Sequence, residues 1–143
     1  MRSRSASWVL ALVVLTALLA PACRHDDRPA QPRPDVTAYS DALTGHLSGV
    51  EIEVTGTVKD VLPDDTKPPR HERFIVLLPD GHTLLVAHDI DLAPRVPLAG
   101  GETLLLHGQY EWNGRGGVLH WTHRDPSHVH PEGFIELAGK TYQ

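Results

Sequence analysis

The chain has 143 residues, and its 13 lysines and arginines against 18 aspartates and glutamates give a formal net charge of −5 at pH 7. Residues 1–22 hold two of the basic residues and none of the acidic ones, so the remainder carries 11 − 18 = −7. Nucleic-acid binding draws much of its affinity from Lys and Arg that neutralise phosphates, so this balance argues against a nucleic-acid partner.

The first 22 residues have the three-part layout of a secretory signal peptide. Arg2 and Arg4 form a positive region, an apolar run follows at 8–19, and small residues occupy 20–22. The run is shorter than the span of about 20 residues that a transmembrane helix needs. We therefore expect residues 1–22 to be removed on export.

Cys23 is the only cysteine of the chain, so it cannot form an intramolecular disulfide. Its position directly after the sequence LAPA resembles the lipobox of bacterial lipoproteins, in which the cysteine is lipidated and becomes the new N-terminus. The alternative is ordinary cleavage after Ala22, which leaves a free thiol. Arg24 is not the aspartate associated with inner-membrane retention. We expect a lipid-anchored protein on the periplasmic side of the outer membrane, which makes the membrane a partner.

Residues 24–35, RHDDRPAQPRPD, are rich in proline and charge and lack large apolar side chains, which predicts a tether. Residues 36–47 carry apolar side chains at helical spacing, which predicts a short helix or an ordered lead-in. We therefore divide the chain into a signal peptide (1–22), a lipidated tether with the short helix (23–44) and a folded domain (45–143). The last is long enough for one core and not two.

From residue 50 the pattern becomes that of short strands separated by turns. Predicted strands cover 50–61, 70–78, 82–90, 102–112, 118–123 and 134–137. Gly56 suggests a bulge or a bend in the first strand, and the prolines at 63, 68 and 69 mark a loop after it. The turn at 79–81 joins the second and third strands into a hairpin. Pro94 and Pro97 exclude a regular helix at 91–101.

This order predicts an all-β fold, a small OB-like barrel of five to six strands. Three consecutive strands, a long connection and then a hairpin form the arrangement of the OB-fold. An SH3-like barrel or a small sandwich is the alternative.

Three long strings resemble a known bacterial family. They are RHERFIVLLPDGHTLLVAHDIDLAPRVPL, GQYEWNGRGGVLHWTHRDP and the C-terminal GKTYQ. They look like the proteins grouped as domain of unknown function 3465, over roughly residues 50–143. The resemblance implies small exported or surface proteins with no assigned activity, and it carries over no catalytic residue.

The segment 120–130, HWTHRDPSHVH, suggests a metal site. If 118–123 is a strand, Leu119 and Trp121 face the core, and His120 faces solvent. A turn at Asp125 would fold the chain back. Nitrogen and oxygen donors of this kind suit a divalent transition metal, Zn²⁺ first, or Cu²⁺ and Ni²⁺. The alternative is a turn initiated by Asp125, with solvated histidines after it. The candidate metal ligands are His120, His123, Asp125, His128 and His130.

A second candidate site lies on the exposed face of the second and third strands, where OB barrels bind oligonucleotides and oligosaccharides. Its candidate ligand-binding residues are His71, Arg73, His88, Asp89 and Trp112. The alternative for Arg73 is a surface ion pair with an acidic neighbour, which contributes little.

We therefore expect an envelope lipoprotein whose OB-like domain binds a small ligand, a glycan fragment, a metal ion or an envelope protein, and the sequence assigns no reaction to it. The competing hypothesis is a metal-dependent hydrolase or a metal carrier that uses the histidine-rich segment. The strongest alternative among enzymes is a nuclease. It rests on VLPDDT at 61–66, which faintly resembles the Ca²⁺-binding stretch of staphylococcal-type nucleases.

Overall fold

The computed structural model describes residues 36–143; the predicted signal peptide, Cys23 and the tether lie outside them. None of the described helices is long and apolar enough to cross a membrane. One helix and seven strands follow in chain order: α1 (Val36–Gly45), β1 (Val50–Asp65), β2 (His71–Leu77), β3 (Thr83–Asp89), β4 (Thr103–Glu111), β5 (Val118–His120), β6 (Phe134–Leu137) and β7 (Lys140–Tyr142).

Five strands close into a barrel in the order β1–β2–β3–β5–β4, with β4 pairing back to β1. Neighbouring strands are antiparallel except β3 and β5, which are parallel. The predicted OB-like barrel is confirmed. β6 and β7 form a hairpin that extends the sheet from β4, on the same side of β4 as β5.

Alternation along the strands decides which side chains fill the barrel. Every second residue is buried in β1 from Ile52 to Val58 and in β2 to β5, and the residues between them are partly covered or exposed, except that Asp89 at the end of β3 is buried as well. Gly56 takes one of the inward positions, where a Cβ would lie 2.9 Å from the Val76 side chain. The register is regular at Gly56 and shifts later, between Val58 and Asp60 and between Leu62 and Asp65. The bulge predicted at Gly56 is therefore misplaced, and close packing accounts for this glycine.

Both ends of the barrel are closed by segments outside the five strands. At one end α1 inserts Tyr39 and Ala42, and the Tyr39 ring meets that of Tyr110 edge to face with centroids 5.5 Å apart. At the other end the irregular segment 90–102 buries Val96 and Ala93. The helix is thus part of the core, although the sequence suggested a folded domain that starts at residue 45. Because side chains fill the interior, a ligand has to bind on the outer surface.

Two strands differ in length from their predictions. β1 continues through Pro63 to Asp65, which was predicted as loop. Proline is tolerated there because β1 pairs with β4 only as far as Thr57, so its last part is an edge. β5 ends at His120 and not at residue 123, because Trp121 has a φ of 53° and leaves the extended conformation. Leu119 is buried as predicted, whereas Trp121 is only partly buried and does not belong to the core.

Candidate functional site

A cleft of about 220 Å³ lies on the outer face of β2, β3 and β5. Half of its lining is apolar, and the other half consists of three imidazoles and one carboxylate. We call it the histidine cleft, and it is lined by Pro69, His71, Ala87, Asp89, Leu92, His120, Trp121 and His123. It therefore combines members of both candidate sites from the sequence.

Strand register explains why these residues meet. His71 of β2 is paired with Asp89 of β3, and β5 lies on the other side of β3. Their chain neighbours Glu72 and His88 alternate to the interior. The segments after β1 and β3 then supply Pro69 and Leu92 at the rim.

The rim of the histidine cleft is held by Arg70 and Asp91. Arg70 donates from its backbone N–H to Asp91 Oδ2 at 2.7 Å and from Nε to Asp91 Oδ1 at 2.8 Å. These hydrogen bonds lower the pKa of Asp91. Asp89 Oδ1 accepts the N–H of Asp91 at 2.8 Å, which fixes the turn that begins there. The segments before β2 and after β3 are thus tied together beside the cleft.

The surroundings of His120 favour the neutral form of its imidazole. Burial lowers its pKa, His71 lowers it further, and Glu111 opposes the shift. A neutral ring offers one hydrogen-bond donor and one acceptor, so His120 can recognise a polar group without adding a charge.

His88 does not belong to the exposed surface, so its prediction as a ligand-binding residue there is wrong. It is 0 % exposed, and alternation along β3 places it on the face of Val86. Its Nε2 lies 3.2 Å from Pro94 O and its Nδ1 lies 2.8 Å from Thr122 Oγ1. A carbonyl oxygen only accepts, so Nε2 carries the proton and the Thr122 hydroxyl donates to Nδ1. Burial lowers the pKa of His88 to about 4, so the ring is neutral.

The two remaining predicted ligand-binding residues lie outside the cleft lining. Arg73 lies two residues beyond His71 along β2, where its Nε and Nη2 donate to Pro63 O at 3.1 and 2.9 Å. This replaces the predicted ion pair with an acidic neighbour. Trp112 stacks on His46 beyond the end of α1, with ring centroids 4.2 Å apart. Of the five predicted residues, His71 and Asp89 line the cleft.

Asp125 shapes the loop that the sequence suggested as a metal site. Its Oδ1 accepts the N–H and hydroxyl of Ser127 at 2.8 and 2.6 Å, and its Oδ2 accepts the N–H groups of Val129 and His130 at 2.9 and 2.8 Å. The Ser127 hydroxyl is the main reason why the pKa of Asp125 is held well below its usual range. Both oxygens are thus engaged in the turn.

The candidate metal ligands are spread over the loop. The His128 side chain is 79 % exposed, and His123 Nδ1 lies 2.8 Å from Arg124 O. His130 stacks on Trp121, and its Nδ1 lies 2.9 Å from Pro131 O. Among residues 36–143, no group of three or more His, Cys, Asp or Glu side chains is placed to hold a metal ion. The five-residue metal hypothesis therefore gains no geometric support.

The acidic stretch that suggested a nuclease is used for structure. Asp64 pairs with Arg95, whose Nη1 also donates to Glu72 Oε1 at 3.1 Å. Glu72 is 2 % exposed, and its Oε2 accepts the Val96 N–H at 2.9 Å. Burial raises the pKa of Glu72, and the bonds from Val96 and Arg95 oppose that shift. The cluster anchors segment 90–102 to the barrel.

Glu72 and Arg95 were not singled out from the sequence, although a signal existed for Glu72. It falls on the same strand face as Phe74, and a charged residue on an apolar face requires a partner. Arg95 had no such signal, because its partners are 23 and 31 residues away.

Comparisons with known proteins agree with the resemblance in sequence. A search of curated proteins and a search of solved structures each found no match. Residues 28–143 match a family described as "Protein of unknown function (DUF3465)". This match spans most of the chain, and the protein therefore belongs to that family.

Proposed function

We propose that this protein is an envelope lipoprotein whose barrel binds a small ligand in the histidine cleft. The observation that carries the proposal is the position of the cleft. It lies on the face of β2 and β3, which OB barrels use for oligonucleotides and oligosaccharides, and segments 66–70 and 90–102 bound it. The net charge of −7 outside the signal region disfavours the first of these ligand classes.

The chemistry of the lining favours an uncharged ligand with both polar and apolar surface, such as a glycan fragment. Imidazole nitrogens of His71 and His120 can exchange hydrogen bonds with hydroxyl groups. Leu92 and Pro69 offer apolar contact to the C–H face of a sugar ring. A small number of precisely placed polar groups in an apolar lining is typical of small-molecule sites.

Trp121 provides a reporter of binding. Apart from Trp8, the chain has only Trp112 and Trp121, so Trp112→Phe leaves Trp121 as the only tryptophan outside the signal region. We expect soluble oligosaccharides of two to six units to change its fluorescence in a saturable way. The double variant His71→Ala, His120→Ala should weaken binding at least tenfold, which corresponds to about 1.4 kcal/mol.

The matched control is His82→Ala, because His82 is exposed in the β2–β3 turn and does not line the cleft. It should bind as the parent does. Binding that survives the double variant, or that the control weakens equally, would contradict the assignment of the cleft.

Membrane attachment rests on Cys23 and is tested separately. In a bacterial host fed an alkyne-tagged fatty acid, the full chain should become labelled and fractionate with membranes. Cys23→Ala should abolish both. Retained labelling in Cys23→Ala, or a soluble unlabelled parent, would reject the lipoprotein proposal without bearing on the cleft.

A further inference from the structure

Three acceptor atoms converge behind Trp121, outside the histidine cleft. Both Glu51 carboxylate oxygens and His130 Nε2 are buried, and within residues 36–143 none has a hydrogen-bond partner. Glu51 Oε1 and His130 Nε2 are 3.7 Å apart, beyond hydrogen-bond distance. Buried polar atoms without partners are rare in folded proteins, and each requires a physical explanation.

The tautomer of His130 makes the arrangement unfavourable as it stands. Nδ1 lies 2.9 Å from Pro131 O, and since a carbonyl only accepts, Nδ1 carries a proton. In the neutral ring Nε2 then has a lone pair, which faces the Glu51 carboxylate. Lone pairs on both sides of the gap repel unless a proton or a metal cation lies between them.

The hydrogen bond from His130 Nδ1 to Pro131 O is also the kind of contact that metal-binding histidines make. Such residues almost always donate their second ring N–H to a carbonyl or carboxylate, which fixes the tautomer and the ring orientation. His130 has this contact at Pro131. Its ring is also held against Trp121, with centroids 4.2 Å apart and planes 8° from parallel, and its backbone N–H is fixed by Asp125.

We propose that Glu51 and His130 bind a divalent transition metal ion of the zinc class. Two donors about 2.0–2.2 Å from one ion at the tetrahedral angle lie about 3.3–3.6 Å apart, so the 3.7 Å gap needs an adjustment of only a few tenths of an ångström. One imidazole nitrogen and a carboxylate suit Zn²⁺. The chain supplies two residues, and water or a small ligand completes the coordination.

The three donor atoms are buried, although the Glu51 and His130 side chains as a whole are 29 % and 15 % exposed. Trp121 separates the two sites, since it lines the histidine cleft and stacks on His130. A bound metal would therefore hold one wall of the cleft in place.

The test is zinc titration of the full chain, purified in detergent with a tag that contains no histidine, against a chromogenic chelator. We expect one equivalent to bind, and Glu51→Gln and His130→Gln to lower the affinity at least about tenfold. The control is His128→Gln in the same loop, whose side chain is 79 % exposed. It should bind as the parent does. Urea unfolding without metal establishes that each variant is folded.

A second readout uses stability. Zinc should raise the unfolding midpoint of the parent and of His128→Gln, and leave those of Glu51→Gln and His130→Gln unchanged. The proposal would be overturned if the parent bound no more zinc than these variants. Glu51 and His130 would then form a simple ion pair, with a proton on His130 Nε2. Equal loss in His128→Gln would also overturn it. The two proposals can fail independently. The double variant His71→Ala, His120→Ala should lose oligosaccharide binding and still bind zinc, because its residues belong to the histidine cleft and not to the metal site.

Discussion

His88 should make the stability of the barrel depend on pH. The ring is fully buried, and burial lowers its pKa from the ordinary value of 6.5 to about 4 in the folded protein. At 1.36 kcal/mol for each pKa unit, this difference corresponds to about 3 kcal/mol. Since the unfolded chain takes up the proton first, the contribution is fully present above pH 6.5. It is lost progressively as the pH falls from 6.5 to about 4.

The measurement is urea unfolding between pH 7.5 and pH 4 for the parent and for His88→Gln. Glutamine keeps one donor and one acceptor but does not titrate. Other titrating groups, including Glu72, are common to both chains and cancel in the difference. We expect the parent to lose about 3 kcal/mol more than the variant across this range.

The control is His82→Gln, whose imidazole is exposed in the β2–β3 turn, and it should follow the parent curve. Parallel curves for the parent and His88→Gln would refute the reasoning. In that case either the buried ring is charged in the folded protein, or the contact between His88 and Thr122 opens to water near pH 7.

Two further substitutions test packing and the loop. Gly108→Ala would place a Cβ 2.2 Å from His120 O, so we expect the free energy of unfolding in urea to fall by about 1–3 kcal/mol. The control is Gly100→Ala, whose Cβ would meet no atom within 4 Å. It should change the free energy of unfolding by less than about 0.5 kcal/mol. Equal effects would contradict the packing of β4 against the segment after β5. Asp125→Ala should accelerate amide hydrogen exchange at Val129 and His130, because their N–H groups lose their acceptor. In the parent, the protection of these two amides should persist in mild acid, because the pKa of Asp125 is held below its usual range. Unchanged exchange in Asp125→Ala would show that the carboxylate does not shape the loop.

The barrel was predictable because its signals are local. Period-two alternation marked β2, β3 and β4 to within one residue of their ends, and the Asp80–Gly81 turn joined the first two. Two prolines excluded a helix between β3 and β4. The helix at the N-terminal side also followed from its spacing, although its role in closing the barrel did not.

Site residues were harder to predict because their positions depend on which face of which strand meets a distant segment. His71 and Asp89 were both predicted as ligand-binding residues, and both line the cleft, but their pairing across β2 and β3 was not predicted. His88 was assigned to the wrong face by its proximity to Asp89 and Asp91, although alternation with Val86 pointed inward. His120 was placed correctly on the outside.

The sequence by itself determined the succession of strands along the chain, the apolar faces of the strands and the family, because these depend on residue types at short spacing. Only the tertiary structure decided that β5 stops at His120, where a left-handed Trp121 turns the loop back across the barrel. That turn brings His130 to Glu51, 79 residues earlier in the chain. Such a contact depends on strand register and loop closure, and no local pattern encodes it.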